Sequence, residues 1–191
     1  REVFATTGTR MRLRMFAGWN FTAADHHAPD FVRVAYAKGV SMGSDLPGSG
    51  VAPTFLIEAM RDPDGANLDR IQIVKGWIDA RGKMQERVFD VVWSGNRKPG
   101  KGGKLPPVGN TVKGATYNNN IGAPVLSAFW CDPAYRAGER AFYYTRVLEI
   151  PTPTWLAHDM VQIGQRSLPK DARLVHQERG YGSPIWVGFK G

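Results

Sequence analysis

Residues 68–93 read LDRIQIVKGWIDARGKMQERVFDVVW. Ile71, Ile73 and Trp77 recur at period two across Leu68–Ile78, the repeat of a strand that buries one face. Asp79-Ala80-Arg81-Gly82-Lys83 supplies a turn, and Val88–Trp93 returns as the partner of a β-hairpin. Upstream, Arg10–Phe16 alternates, with Met11, Leu13 and Met15 on one side and Arg10, Arg12 and Arg14 on the other, a half-buried strand. Thr54–Met60 is a bulky apolar run between Pro53 and the turn signal Asp62-Pro63-Asp64-Gly65. Downstream, Val125–Trp130, Ala141–Ile150 and Ile185–Phe189 carry further strand signals, the second stopped by Pro151 and Pro153, which cannot donate to a ladder. Only Phe31–Lys38 and Pro153–Ile163 suit short helices. Strands separated by loops, with little helical periodicity, predict an all-β chain: an antiparallel β-sandwich with long loops and one or two short helices.

At 191 residues the chain is long enough to bury most of a core without disulfide or metal staples. Its 42% hydrophobic and 22% charged residues match a globular protein rather than a disordered one. No apolar run approaches the roughly 18 residues of a membrane span. The chain opens on Arg1-Glu2-Val3-Phe4, with neither an initiator Met nor a leader, which leads us to expect the carboxy-terminal part of a larger protein. A net charge of +8 raises the question of a polyanionic partner. Arg97, Lys98, Lys101 and Lys104 cluster, but within a Gly- and Pro-rich stretch that reads as a solvated loop. Nucleic acid is therefore not the expected partner. Two loops, about Gly95–Asn120 and Pro151–Glu178, exceed ordinary connections, and such loops are functional or pack against something.

Four groups of residues invite a chemical reading. Asp62, Asp64, Asn67 and Asp69 present oxygens at short spacing, as a calcium site does. The register is not that of an EF-hand, because glycine stands fourth and no Glu follows at the twelfth position. Pro63-Asp64-Gly65 also reads as an ordinary β-turn, the favoured alternative. Asp25, His26 and His27 are zinc-ligand types, but neighbours on an extended chain point apart, and a polar loop is the simpler reading. Cys131, the sole cysteine, would act as a nucleophile only with a base such as His158 or His176 in reach; a small buried residue is the expectation. Six tryptophans and Tyr117-Asn118-Asn119-Asn120 could form a sugar platform, although strand tryptophans such as Trp77 and Trp93 read first as core.

Several stretches taken together resemble a bacterial family catalogued as a domain of unknown function, number thirty-six-zero-four. They are REVFATTGTR at 1–10, KGVSMGSDL at 38–46, DPDGANLDRIQIVKGW at 62–77, YYTRVLEIPTP at 143–153 and SPIWV at 183–187. The resemblance implies an upstream half that looks like the PHP (polymerase and histidinol phosphatase) metal-dependent hydrolases. Residues 1–10 would then end that half, and 11–191 would be a single β-sandwich-like domain. Divalent metals would be held upstream and no cofactor by this chain, since no metal-ligand role carries over to His26, His27, His158 or His176. The resemblance also implies an extracytoplasmic location. We therefore expect a non-catalytic, accessory domain of a larger hydrolase of unknown substrate, with the upstream half as its partner. Thr7 and Arg10, at the junction, are the expected edge of a substrate site, because an Arg fork suits anionic oxygens. A surface that faces a missing partner should leave an exposed apolar patch and permit self-association. The alternatives are an independent module for a glycan or cell-envelope ligand, and a stand-alone enzyme built around Cys131, His158 and Asp159.

Overall fold

The computed structural model describes residues 1–164 and 167–189. In chain order the elements are β1 (Phe4–Thr6), β2 (Arg12–Gly18), α1 (Ala23–His26), α2 (Phe31–Lys38), β3 (Val40–Ser41), β4 (Asp45–Leu46), β5 (Thr54–Met60) and β6 (Leu68–Ile78). Then follow β7 (Met84–Trp93), β8 (Val125–Cys131), β9 (Ala141–Glu149), β10 (Thr152–Pro153), α3 (Trp155–Ile163), β11 (Val175–His176), β12 (Arg179–Gly182) and β13 (Ile185–Val187). The protein is mostly β, with antiparallel sheets and few short helices. The pairing of β13 with β4 is parallel.

The β6–β7 hairpin forms as its sequence dictates. Asp79 Oδ1 accepts from the backbone N–H groups of Arg81 at 2.9 Å and Lys83 at 3.0 Å, and Gly82 adopts φ +76°, which glycine tolerates without a steric cost. On its other side β6 pairs with β9. The far edge of β9 carries β12 and β13 end to end, and these pair in turn with β1 and β4. The second sheet runs β3-β2-β5-β8.

The two sheets share one core. Ile71, Ile73, Tyr143 and Val147 from the first meet Met15, Phe55 and Ile57 from the second, all buried. The second sheet also buries its outer face. Phe16 and Leu56, the alternate residues of β2 and β5, pack with Phe21 and with Ala35 of α2. The helices thus add a third layer over this sheet. Asp25, whose neighbours read as a polar loop, caps α1 instead: its carboxylate accepts from the Thr22 N–H at 2.8 Å and pairs with Lys38 at 2.6 Å. His26 and His27 touch edge to face, with ring centroids 4.8 Å apart.

Cys131 corrects an expectation, because it is exposed. Trp130 of the same strand packs against the shared core, so alternation turns Cys131 outward at the end of edge strand β8. Strand β12 had no apolar signal at all. It crosses β2 so closely that a Cβ on Gly180 would come within 2.7 Å of Met11 Sδ and 2.9 Å of Leu13 Cδ2. Because those neighbours are side-chain ends that can move, Gly180→Ala is expected to cost only about 1 kcal/mol, at the mild end of overpacking. Urea denaturation checks this, and an unchanged midpoint would contradict the close approach. Among the described residues, no helix is long and apolar enough to cross a membrane.

Candidate functional site

The Thr-Thr-Gly-Thr-Arg segment after β1 lies against the end of β9 and the chain leading into β12. Thr6 Oγ1 donates to the Thr9 carbonyl at 2.6 Å, which bends the segment at Gly8. The Thr7 N–H donates to the Arg179 carbonyl at 3.0 Å and its hydroxyl accepts from the Arg179 N–H at 2.9 Å. That hydroxyl also donates to Glu178 Oε2, whose other oxygen lies 3.2 Å from His176 Nε2. Thr7, His176, Glu178 and Tyr181 help to line a cleft of about 520 Å³, with Pro151 and Arg173 contributed by the long segment after β9.

Behind Thr7, Thr9 Oγ1 donates to Glu149 Oε1 at 2.6 Å. Glu149 is buried at the end of β9. Burial pushes its carboxyl up to about 7; the Thr9 hydrogen bond opposes this, while Glu178 and Asp62 add to it. This group therefore exchanges its proton near neutrality.

Arg10 is already engaged. Its Nε and backbone N–H both donate to Asp62 Oδ2, at 3.1 and 2.9 Å, and its Nη2 reaches Asp62 Oδ1 at 3.1 Å and Asp64 Oδ2 at 2.5 Å. The guanidinium holds the Asp62 carboxyl down to about 2, first through the side-chain hydrogen bond and then through the backbone donor. The fork that the sequence offered to a substrate anion thus closes on two carboxylates of its own chain.

The calcium-type residues engage different partners. Asp62 and Asp64 converge on Arg10, and Gly65 N–H donates to the Asp62 carbonyl at 3.0 Å, the hydrogen bond of a β-turn. Asn67 Nδ2 donates to the carbonyls of Asn119 and Ile121 at 3.0 and 2.9 Å, fastening the return of the long 95–120 loop. Asp69 is buried against Arg70 at 3.1 Å and Arg97 at 2.6 Å, so Arg97 pins the start of that loop. Among the described residues, no group of three or more His, Cys, Asp or Glu side chains has the placement to hold a metal.

A second polar centre lies between the sheets. Lys75, 1% exposed, stands 2.8 Å from Asp132 Oδ2 and 2.5 Å from Glu139 Oε2, inside the rings of Trp77, Tyr135 and Tyr143. The Tyr143 hydroxyl donates to Asp132 Oδ2 at 2.8 Å, and burial, with the Asp132 charge, raises its pKa. One signal for it existed. Lys75 follows Ile71 and Ile73 at the same inward register of β6, where a charge demands a buried partner. Which partner it has, 57 residues on, no local pattern tells.

The family model described as Protein of unknown function (DUF3604) matches residues 1–188. The chain belongs to this family. No curated protein and no solved structure matches it. The DUF3604 match spans both polar centres, from the Thr7–Arg10 segment to β13, so that segment and the two sheets fall within one matched span.

Proposed function

We propose that this DUF3604 chain is a non-catalytic, structural part of a larger metal-dependent hydrolase, packed against an upstream metal-binding half. In this reading residues 1–10 lead out of that half, and the cleft beside Thr7 faces it. The observation that carries the reading is α3. Its residues Trp155, Val161 and Ile163 are 75%, 64% and 71% exposed, on a helix with one buried residue, Ala157. A helix so apolar and so uncovered needs another surface to bury against. Val3 and Phe4, exposed at the edge strand β1, add apolar area at the junction. Thr7 edges the substrate's approach, while Arg10, neutralised by Asp62 and Asp64, holds the junction rigid.

An immunoblot of source cells with antibody against this chain tests the reading. A band several times heavier than 21.1 kDa is expected. An unprocessed gene product of 21.1 kDa would overturn it. For the isolated chain, sedimentation velocity is expected to show self-association that Trp155→Ser combined with Ile163→Ser abolishes. A concentration-independent monomer would remove the case for a covered α3.

A further inference from the structure

A groove of about 990 Å³ opens at the tip of the β6–β7 hairpin, beside the loop between β8 and β9. Its floor is one cross-strand row on the outer face of the first sheet: Glu86, Gly76, Phe142 and Trp186, paired in that order across β7, β6, β9 and β13. Gly76 gives the Phe142 ring a place to lie flat, since a Cβ there would collide with it. Trp186 stands 5.3 Å from Phe142 and Phe189 a further 5.5 Å from Trp186, centroid to centroid, making a continuous aromatic surface. Ile78 and Met84, 65% and 89% exposed, form an apolar rim.

The charges around this floor are unevenly satisfied. Asp79 accepts from the Arg81 and Lys83 N–H groups and from Gln85 Nε2. Lys75, beneath the groove, takes both Asp132 and Glu139, the acids of the loop between β8 and β9. The two arginines of the same stretch, Arg136 and Arg140, are thereby left without a carboxylate among the described residues, and Arg140 rests 5.9 Å over the Phe189 ring. Glu86 likewise has no cationic partner among them. An occupant must therefore offer flat CH-rich faces to the aromatics, hydroxyl donors to Glu86 and an anion to the two guanidinium forks. A peptide strand could add only at β7, whose outer edge is open, beside Glu86 at the margin of the floor, because β6, β9 and β13, which carry Gly76 and the aromatic row, are each paired on both sides.

We propose that the groove binds an acidic saccharide, its rings stacked on Phe142 and Trp186 and its uronate or sulfate groups held by Arg136 and Arg140. Isothermal titration of the whole chain with trigalacturonate, its fully methyl-esterified form and a chondroitin sulfate hexasaccharide tests this. Saturable binding of the uronate, the sulfate or both is expected, and the two arms identify the anion. The methyl ester should bind at least about tenfold more weakly than the acid, and Arg136→Gln with Arg140→Gln should reduce the acid to the ester's affinity. Trp186→Ala should abolish binding of either, whereas Met60→Ala, exposed at the end of β5 and outside the groove's lining, should leave it unchanged. Absence of binding by both acidic probes overturns the proposal. So does equal affinity for acid and ester, wild-type affinity in the groove variants, or equal binding of tri-glutamate, which would mark an acidic peptide site instead. Circular dichroism of each variant confirms that a loss is not unfolding.

Discussion

Lys75→Met is expected to lower folding stability by about 3–5 kcal/mol at neutral pH, because it strips the cation from two buried carboxylates. The substitution keeps most of the stem's volume, so the loss reports charge rather than a cavity. Asp132 retains the Tyr143 hydroxyl and the Ala134 N–H at 2.8 Å each. Glu139 Oε2, a buried oxygen whose close neighbour is Lys75, retains no comparable donor. Two carboxylates left in a low-dielectric interior without their cation destabilise the fold. Replacing the whole set, Lys75→Met with Asp132→Leu and Glu139→Leu, should recover much of the loss, since well-packed apolar groups often equal a buried ion pair. Urea denaturation of the three proteins at neutral pH decides it. A single variant within about 1 kcal/mol of wild type at neutral pH would show that Lys75 is not what holds these carboxylates.

The parts of this fold that could be read from the chain are those where one local rule decides. The limits of Thr54–Met60 and Leu68–Ile78 coincide with β5 and β6, and Phe31–Lys38 with α2, because apolar period and turn chemistry agree there. Strand β12 obeys the opposite logic: Gly180 and Gly182 fit under Met11 and Leu13 of a strand far away in sequence, and that close approach leaves no propensity signal. Cys131 was misplaced because its apolar neighbours outweighed its position, one residue past Trp130 on an alternating edge strand. For the candidate site, the motif at residues 6–10 marked Thr7 and Arg10, but their partners lie 171 and 52 residues away in Glu178 and Asp62. A sequence shows that an arginine fork is present, and only the fold shows what already fills it.

The contribution of Glu149 to stability is expected to rise as the pH falls from about 7 to about 4.5, and Glu149→Gln should erase that contribution. The Glu149 carboxyl has an ordinary value of 4.5 and is pushed up to about 7 by burial. Between those limits the folded state holds a proton that the unfolded chain has released, so more protons are bound in the native state and stability declines with rising pH. Above pH 7 the folded protein carries the full cost of a buried anion, roughly 3 kcal/mol, and below 4.5 that cost is gone. Gln keeps an oxygen to accept from Thr9 but cannot ionise, so the variant should exceed wild type at pH 8 and converge with it near pH 4.5. Asp62 works in the reverse sense. Its carboxyl, held at about 2 against an ordinary 3.8, contributes stability above 3.8 that is lost as the pH falls toward 2. The two carboxyls sit on either side of the Thr9–Arg10 step, Glu149 favouring the folded state as the pH falls below about 7 and Asp62 as it rises above about 2, while His26, lowered by burial, opposes Glu149 over part of the same range. Urea midpoints of wild type and Glu149→Gln from pH 3 to pH 8 test both limbs. Parallel curves between pH 4.5 and 7 would mean that Glu149 stays ionised in the fold, and that its surroundings beside Thr9 are wetter than its burial implies.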